Sequence, residues 1–142
     1  MSHTYHKIWM HFVWATHKRE RIISKNLKQK LIAHYKDHYA ESEIYIDTVN
    51  GDMDHIHLLA GLKPTQTPSG IANQIKGESS HWINKNDFIS GKFAWQEGYS
   101  VFSVSESQIS RVREYIKNQE EHHRRKRYQE EIVELLTLDR LN

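Results

Sequence analysis

The chain predicts an α+β fold: a ferredoxin-like split β-α-β antiparallel sheet with helices on one face and an added C-terminal helix carrying Tyr115. Three observations lead there. Strand-like and helix-like apolar patterns follow one another in the order β-α-β-β-α-β. A turn signature, Asn50-Gly51-Asp52, joins two of the strand-like segments into a hairpin. The 142 residues fit one domain, taken as 1–142, which is large enough to bury a core without disulfides or structural metal.

Lys7 to Thr16 reads as the first strand. Ile8, Met10, Phe12 and Trp14 face one way and Trp9, His11, Val13 and Ala15 the other, and both sets are largely apolar, which suits a central strand. Asn26 to Ala40 reads as a helix on the spacing of Leu27, Leu31, Ile32 and Tyr35. Glu43 to Asn50 and His55 to Leu62 form the hairpin. Thr67-Pro68 marks a helix start, with Thr67 as N-cap and Pro68 in the first turn, and Ile71, Ile75, Trp82 and Ile83 follow on that helix. Trp95 to Val104 reads as the fourth strand. Ser105 and Gln108 match a capping box ahead of a long helix containing Ile109, Val112 and Ile116, with a break expected near His122-His123 and a resumption toward Leu136.

Composition excludes several classes. There is no cysteine, so disulfides, thiolate metal sites and cysteine nucleophiles are ruled out. No apolar run is long enough to span a bilayer, and the polar start Met1-Ser2-His3-Thr4-Tyr5-His6 lacks the core of a signal peptide. The expected location is the cytoplasm. No Gly-x-x-x-x-Gly-Lys-Ser/Thr loop is present, so no nucleotide cofactor is expected. The formal net charge is only +2, but basic residues cluster at His17-Lys18-Arg19-Glu20-Arg21 and at His122-His123-Arg124-Arg125-Lys126-Arg127. Such clusters serve either as phosphate contacts or as solvated surface.

Two segments carry chemistry. Residues two apart in a strand share a face, so His55 and His57 project together while Ile56 enters the opposite layer. Two imidazoles on one face can chelate a divalent metal. With 11 histidines in the chain, a surface pair on a solvated strand stays open as the alternative. On the last helix, Tyr115 and Gln119 lie one turn apart and project side by side. Gln119 can offer a carbonyl oxygen as a third ligand beside the Tyr115 hydroxyl. A core-edge tyrosine and an exposed glutamine are the competing readings.

With their surroundings, these segments resemble a known family. The stretch Gly51-Asp52-Met53-Asp54-His55-Ile56-His57-Leu58-Leu59 and the segment Tyr115-Ile116-Lys117-Asn118-Gln119 look like the two motifs of single-tyrosine transposases of the HUH endonuclease superfamily. That group comprises the transposase A of minimal insertion sequences and the REP-associated tyrosine transposases. Trp9 to Thr16 and Trp95 to Ser105 match as well, so the resemblance covers nearly the whole chain. It implies that Tyr115 attacks a phosphodiester of single-stranded DNA, forming a 5′-phosphotyrosine link and releasing a 3′-hydroxyl. It implies that His55, His57 and Gln119 bind a divalent metal, Mg²⁺ or Mn²⁺ in the cell. It also implies single-stranded DNA hairpins as substrate and a homodimer in which Tyr115 can serve the partner subunit's metal site.

Asp54 is placed either to orient one histidine or to serve the turn. Candidate DNA contacts are Lys18, Arg19, Arg21, Lys76, Arg124, Arg125 and Arg127, with Trp95 and Tyr99 as stacking surfaces or core residues. The rival readings are another HUH nicking enzyme, a relaxase or replication initiator, and a domesticated, non-catalytic DNA-binding module.

Overall fold

The computed structural model describes residues 5–119 and 127–141. Its elements are β1 (Trp9–Ala15), α1 (Lys25–His38), β2 (Tyr45–Asp52), β3 (His55–Gly61), α2 (Pro68–Lys85), β4 (Ser100–Val104), α3 (Ile109–Lys117) and α4 (Tyr128–Leu141). The strands form one sheet in the order β2-β3-β1-β4, and each neighbouring pair is antiparallel. This is the expected split β-α-β arrangement, with β1 and β3 in the centre.

The two faces of β1 do different work. Phe12 and Trp14 are fully buried in the main core with Leu31 and Tyr35 of α1, Ile75 and Ile83 of α2, and Ile56 and Leu58 of β3. Each such side chain contributes roughly 1.5–3 kcal/mol by leaving water. The opposite face carries a smaller cluster, in which Leu59 packs with Ile109 and Ile116 of α3, flanked by Trp9, Val104, Val112 and Tyr115. The helices are therefore not confined to one face. α1 and α2 cover one side and α3 the other, because Ile109, Val112 and Ile116 form a stripe that the second face of β1 and β3 can bury.

Local details depart from expectation in three places. The hairpin pairs Asp52 with His55, so the turn is Met53-Asp54, and Asn50-Gly51 lies inside β2. Gly51 is there for close approach: a Cβ would stand 2.2 Å from the His55 carbonyl oxygen. The fourth strand begins at Ser100. Trp95 makes only an isolated bridge to Thr16, and the chain turns at Gly98, whose φ is +84°. The Ser105–Gln108 capping box does not form. Ser105 caps nothing with its side chain, and Glu106–Gln108 instead make a short 3₁₀ turn into α3. Thr67 caps α2 as expected, accepting from the Gly70 amide at 3.0 Å.

Candidate active site

The site lies between the second face of the sheet and α3. His55 and His57 project from β3 toward that face, opposite Ala15 and Val13 of β1. His11 projects beside them. Both motif histidines are fully buried, which excludes the solvated surface pair. α3 is fixed above them by three polar ties. Arg113 donates twice to the Asp47 carboxylate of β2, from Nε and Nη2, each at 2.7 Å. Asn50 donates to the Lys117 carbonyl at 3.0 Å, meeting an acceptor at the helix end. Trp9 donates to Glu106 at 2.7 Å, just ahead of the helix.

The imidazoles are held from behind. His55 Nδ1 lies 2.7 Å from an Asp54 carboxylate oxygen, so Asp54 orients this ring as well as serving the turn. His57 Nδ1 lies 2.8 Å from His11 Nε2. Burial first, then the neighbouring His57, holds His11 well below the ordinary histidine range, so its neutral ring can accept a proton bond from His57. Both Nε2 atoms thus point forward, and they meet one carboxylate. Glu131 of α4 stands 3.2 Å from His55 Nε2 and 3.0 Å from His57 Nε2.

Tyr115 and Gln119 converge on the same carboxylate. The Tyr115 hydroxyl donates to Glu131 in a short hydrogen bond. Gln119 Nε2 donates to Glu131 at 3.2 Å. In this arrangement Gln119 presents its nitrogen, not its carbonyl oxygen, to the centre. His55, His57 and Glu131 offer ligand atoms within 4.8 Å of one another, a set of two imidazoles and a carboxylate able to hold a metal.

The electrostatics follow from this packing. Burial alone would raise the Glu131 carboxyl; the hydrogen bonds to His55 and His57 overcome it and hold the group far below the carboxylate range. Burial alone would lower His55; Asp54 and Glu131 outweigh it, and the ring is raised above its ordinary value. Tyr115 is pushed up, first by burial and then by the Glu131 carboxylate. The phenol is therefore firmly protonated while Glu131 sits against it.

A sequence profile described as transposase, IS200-like, matches residues 4–119. The chain belongs to the IS200-like transposase family. Its similarity to the ISDra2 transposase TnpA of Deinococcus radiodurans is 23% identity over 114 residues, 77% of this chain and 81% of that one. Among solved structures, a Deinococcus radiodurans R1 protein assigned as a transposase aligns over 84% of this chain and 95% of its own, with a TM-score of 0.66 and 22% identity. A REP-associated tyrosine transposase bound to a REP hairpin aligns over 87% and 74%, with a TM-score of 0.59 and 14% identity. At these identities the two structures establish a shared fold.

In this IS200-like transposase the structure gathers His55, His57, Tyr115 and Gln119 around one point. Glu131 and His11 belong to the same constellation, and sequence reasoning gave neither a role. His11 stood on the same strand face as the site, but nothing in its spacing tied it to His57. Glu131 sits in an ordinary Glu130-Glu131 pair, and only the docking of α4 on the sheet brings it in.

The basic candidates are scattered. Lys18 and Arg19 occupy a left-handed bend just after β1, with φ of 55° and 51°. Arg19 lies over the Tyr128 ring at 5.9 Å, and Tyr128 itself lies 4.7 Å from the His55 ring. Arg21 pairs with Asp52 at 3.6 Å. Lys76 donates to the Gln96 and Gly98 carbonyls at 2.9 and 2.7 Å, so its ammonium holds the loop before β4. Arg127 is exposed ahead of α4, whereas Arg124 and Arg125 lie outside the described residues. Trp95 is a core residue: it is buried and donates to Ser79 at 3.0 Å. Tyr99 packs against the same core. Among the described residues no helix is long and apolar enough to cross a membrane.

Proposed function

We propose that this IS200-like transposase, as a single domain over residues 1–142, cleaves and rejoins single-stranded DNA at hairpin ends through a 5′-phosphotyrosine intermediate on Tyr115. The observation that carries this reading is the convergence of the Tyr115 hydroxyl and both motif Nε2 atoms on one carboxylate. An anionic oxygen is already accommodated there, and in the reaction a phosphodiester oxygen takes its place. The hairpin-bound relative supports the choice of substrate.

The donor set fits a divalent metal, for which Mg²⁺ and Mn²⁺ are the proposed occupants. Asp54 and His11 engage the Nδ1 atoms of His55 and His57, so the two Nε2 atoms that meet Glu131 are the ones that would face a cation. Gln119 would supply a further donor through its amide oxygen if that amide turned. Held there, a divalent cation would supply charge neutralisation at a phosphodiester oxygen. The protein's own part is positional. The ties from Asp47 and Asn50 hold α3 so that Tyr115 faces the histidines, and burial of the pocket excludes water from the covalent link. The link conserves the phosphodiester bond energy, so rejoining needs no nucleotide cofactor.

The proposed assembly is a homodimer acting in the cytoplasm and, when DNA is bound, at the nucleoid. Tyr115 stands beside His57 of its own chain, with ring centroids 5.7 Å apart. Lys18, Arg19, Arg21 and Arg127 are proposed phosphate contacts beside the site, with Arg124 and Arg125 proposed on sequence alone. Lys76 is proposed to act indirectly, by shaping the loop it binds.

The test is a denaturing gel of labelled single-stranded DNA carrying hairpins from the gene's flanks, with Mg²⁺ or Mn²⁺. Wild type gives a covalent protein–DNA band, and Tyr115→Phe binds the DNA but gives none. An adduct that survives in Tyr115→Phe removes this tyrosine from the chemistry.

A further inference from the structure

The other face of the sheet carries a second cluster of ligand-type side chains. His34 and His38 lie one turn apart on α1, and Glu78 faces them from α2. His34 Nε2 lies 2.7 Å from one Glu78 carboxylate oxygen and 2.9 Å from the other. His38 Nε2 lies 4.0 Å from Oε1 of the same carboxylate, the oxygen that stands 2.9 Å from His34. All three ligand atoms fall within 4.8 Å of one another. We propose that His34, His38 and Glu78 form a binding site for a transition-metal dication, Zn²⁺ foremost, that links α1 to α2 and is separate from the active site.

Each ligand is oriented by a neighbour that is not one. The His34 ring stacks on Trp82, with centroids 4.0 Å apart and planes within 12°. His38 stacks on His34 at 5.1 Å and meets the Tyr39 ring edge-on at 4.8 Å. Tyr39 donates its hydroxyl to Glu78 Oε1 at 3.3 Å. The ring contacts restrain both imidazoles, and the Tyr39 hydrogen bond is of the kind that orients a ligating carboxylate.

The His34–Glu78 hydrogen bond explains two members of the cluster but not the third. A separation of 4.0 Å is too long for a hydrogen bond, yet His38 aims Nε2 at the same carboxylate while its side chain is 48% exposed. Tetrahedral zinc with bonds of about 2.0–2.2 Å sets its ligand atoms about 3.3 Å apart. Measured to Oε1, the observed 2.9 and 4.0 Å lie on either side of that value, so small rotations bring all three onto one ion. Two imidazoles with one carboxylate favour Zn²⁺ over the oxygen-seeking Mg²⁺ and Ca²⁺. The exposed His38 side leaves the remaining position to water.

The inference does not rest on the DNA chemistry proposed above. Metal-free protein is titrated with Zn²⁺ against a chromophoric chelator, comparing wild type, His38→Gln and His57→Gln. The expected result is a zinc site retained in His57→Gln and weakened at least about a hundredfold in His38→Gln. A zinc-induced rise in Tm disappears with it, and adduct formation by His38→Gln is unchanged. Zinc binding by His38→Gln equal to wild type, or no zinc site other than one lost in His57→Gln, overturns the proposal. His57 is buried, so if its variant does not fold, imidazole ¹⁵N resonances of wild type give the answer. Slow-exchange shifts at His34 and His38 on the first zinc equivalents support the site, and unmoved resonances refute it.

Discussion

Glu131→Gln is expected to speed covalent attachment while loosening the fold. In the structure the Glu131 carboxylate fills the position toward which Tyr115, His55 and His57 all point. In the proposed reaction a phosphate attacked by Tyr115 would need that same position, and it carries the same sign of charge. Two unit charges about 4 Å apart at an effective dielectric constant near 20 repel by about 4 kcal/mol. Withdrawal of α4 avoids the repulsion but gives up the contacts to His55, His57, Tyr115 and Gln119, so that figure is an upper limit. A net relief of about 1.4–2.8 kcal/mol corresponds to roughly ten- to hundredfold in rate. The variant also relieves the carboxylate that pushes the Tyr115 phenol up. The assay is single-turnover adduct formation on a denaturing gel at saturating metal, paired with a thermal melt. Faster attachment with a lowered Tm is the expected pair, because His55 loses a buried partner. Attachment slowed tenfold or more, with DNA binding intact, would make Glu131 a participant in the reaction and refute this reasoning.

Three further perturbations have definite outcomes. His11→Phe removes the partner of His57 Nδ1 and is expected to weaken Mn²⁺ binding about ten- to hundredfold, read by titration calorimetry, and to lower Tm because a buried ring nitrogen loses its partner. Asp47→Asn loosens the tie to Arg113 and lowers Tm at neutral pH. Arg113 holds the Asp47 carboxyl below the usual range, so its stabilisation is complete above about pH 4 and fades as pH falls through the depressed value. The Tm gap between wild type and Asp47→Asn therefore closes with acidification, and a gap that widens contradicts the pairing. Gly51→Ala sets a methyl against the His55 carbonyl and is expected to cost about 1–3 kcal/mol in urea unfolding. An unchanged midpoint would show that the hairpin can spread at no cost.

Much of this was readable along the chain because the residues concerned are local. Phe12 and Trp14 face one side and Trp9 and His11 the other by simple alternation, and the His55–His57 pair shares a face for the same reason. Thr67-Pro68 announces α2 through backbone chemistry that needs no tertiary partner. Where prediction failed, a distant contact decided. The turn moved to Met53-Asp54 because Gly51 is needed opposite Ile56, where β2 and β3 come too close for a side chain. Trp95 looked like strand but is drawn to Ser79 of α2. α3 crossed to the second face because Leu59 and Trp9 waited there for its apolar stripe. Glu131 and Lys76 act through contacts 76 and 22 residues away in sequence, and no local pattern encodes such a reach.

The placement of the two motif histidines on β3 divides the site into a fixed and an adjustable half. β3 is an inner strand, bonded on one side to β1 and on the other to β2. Strands bonded on both sides belong to the part of a fold that opens last, so His55 and His57 stand on a well-protected element. Tyr115 and Glu131 ride instead on helices resting against that sheet, and Gln119 follows just past the end of α3. Access to the site can therefore be adjusted through those helices while the strand that carries the two histidines stays in place.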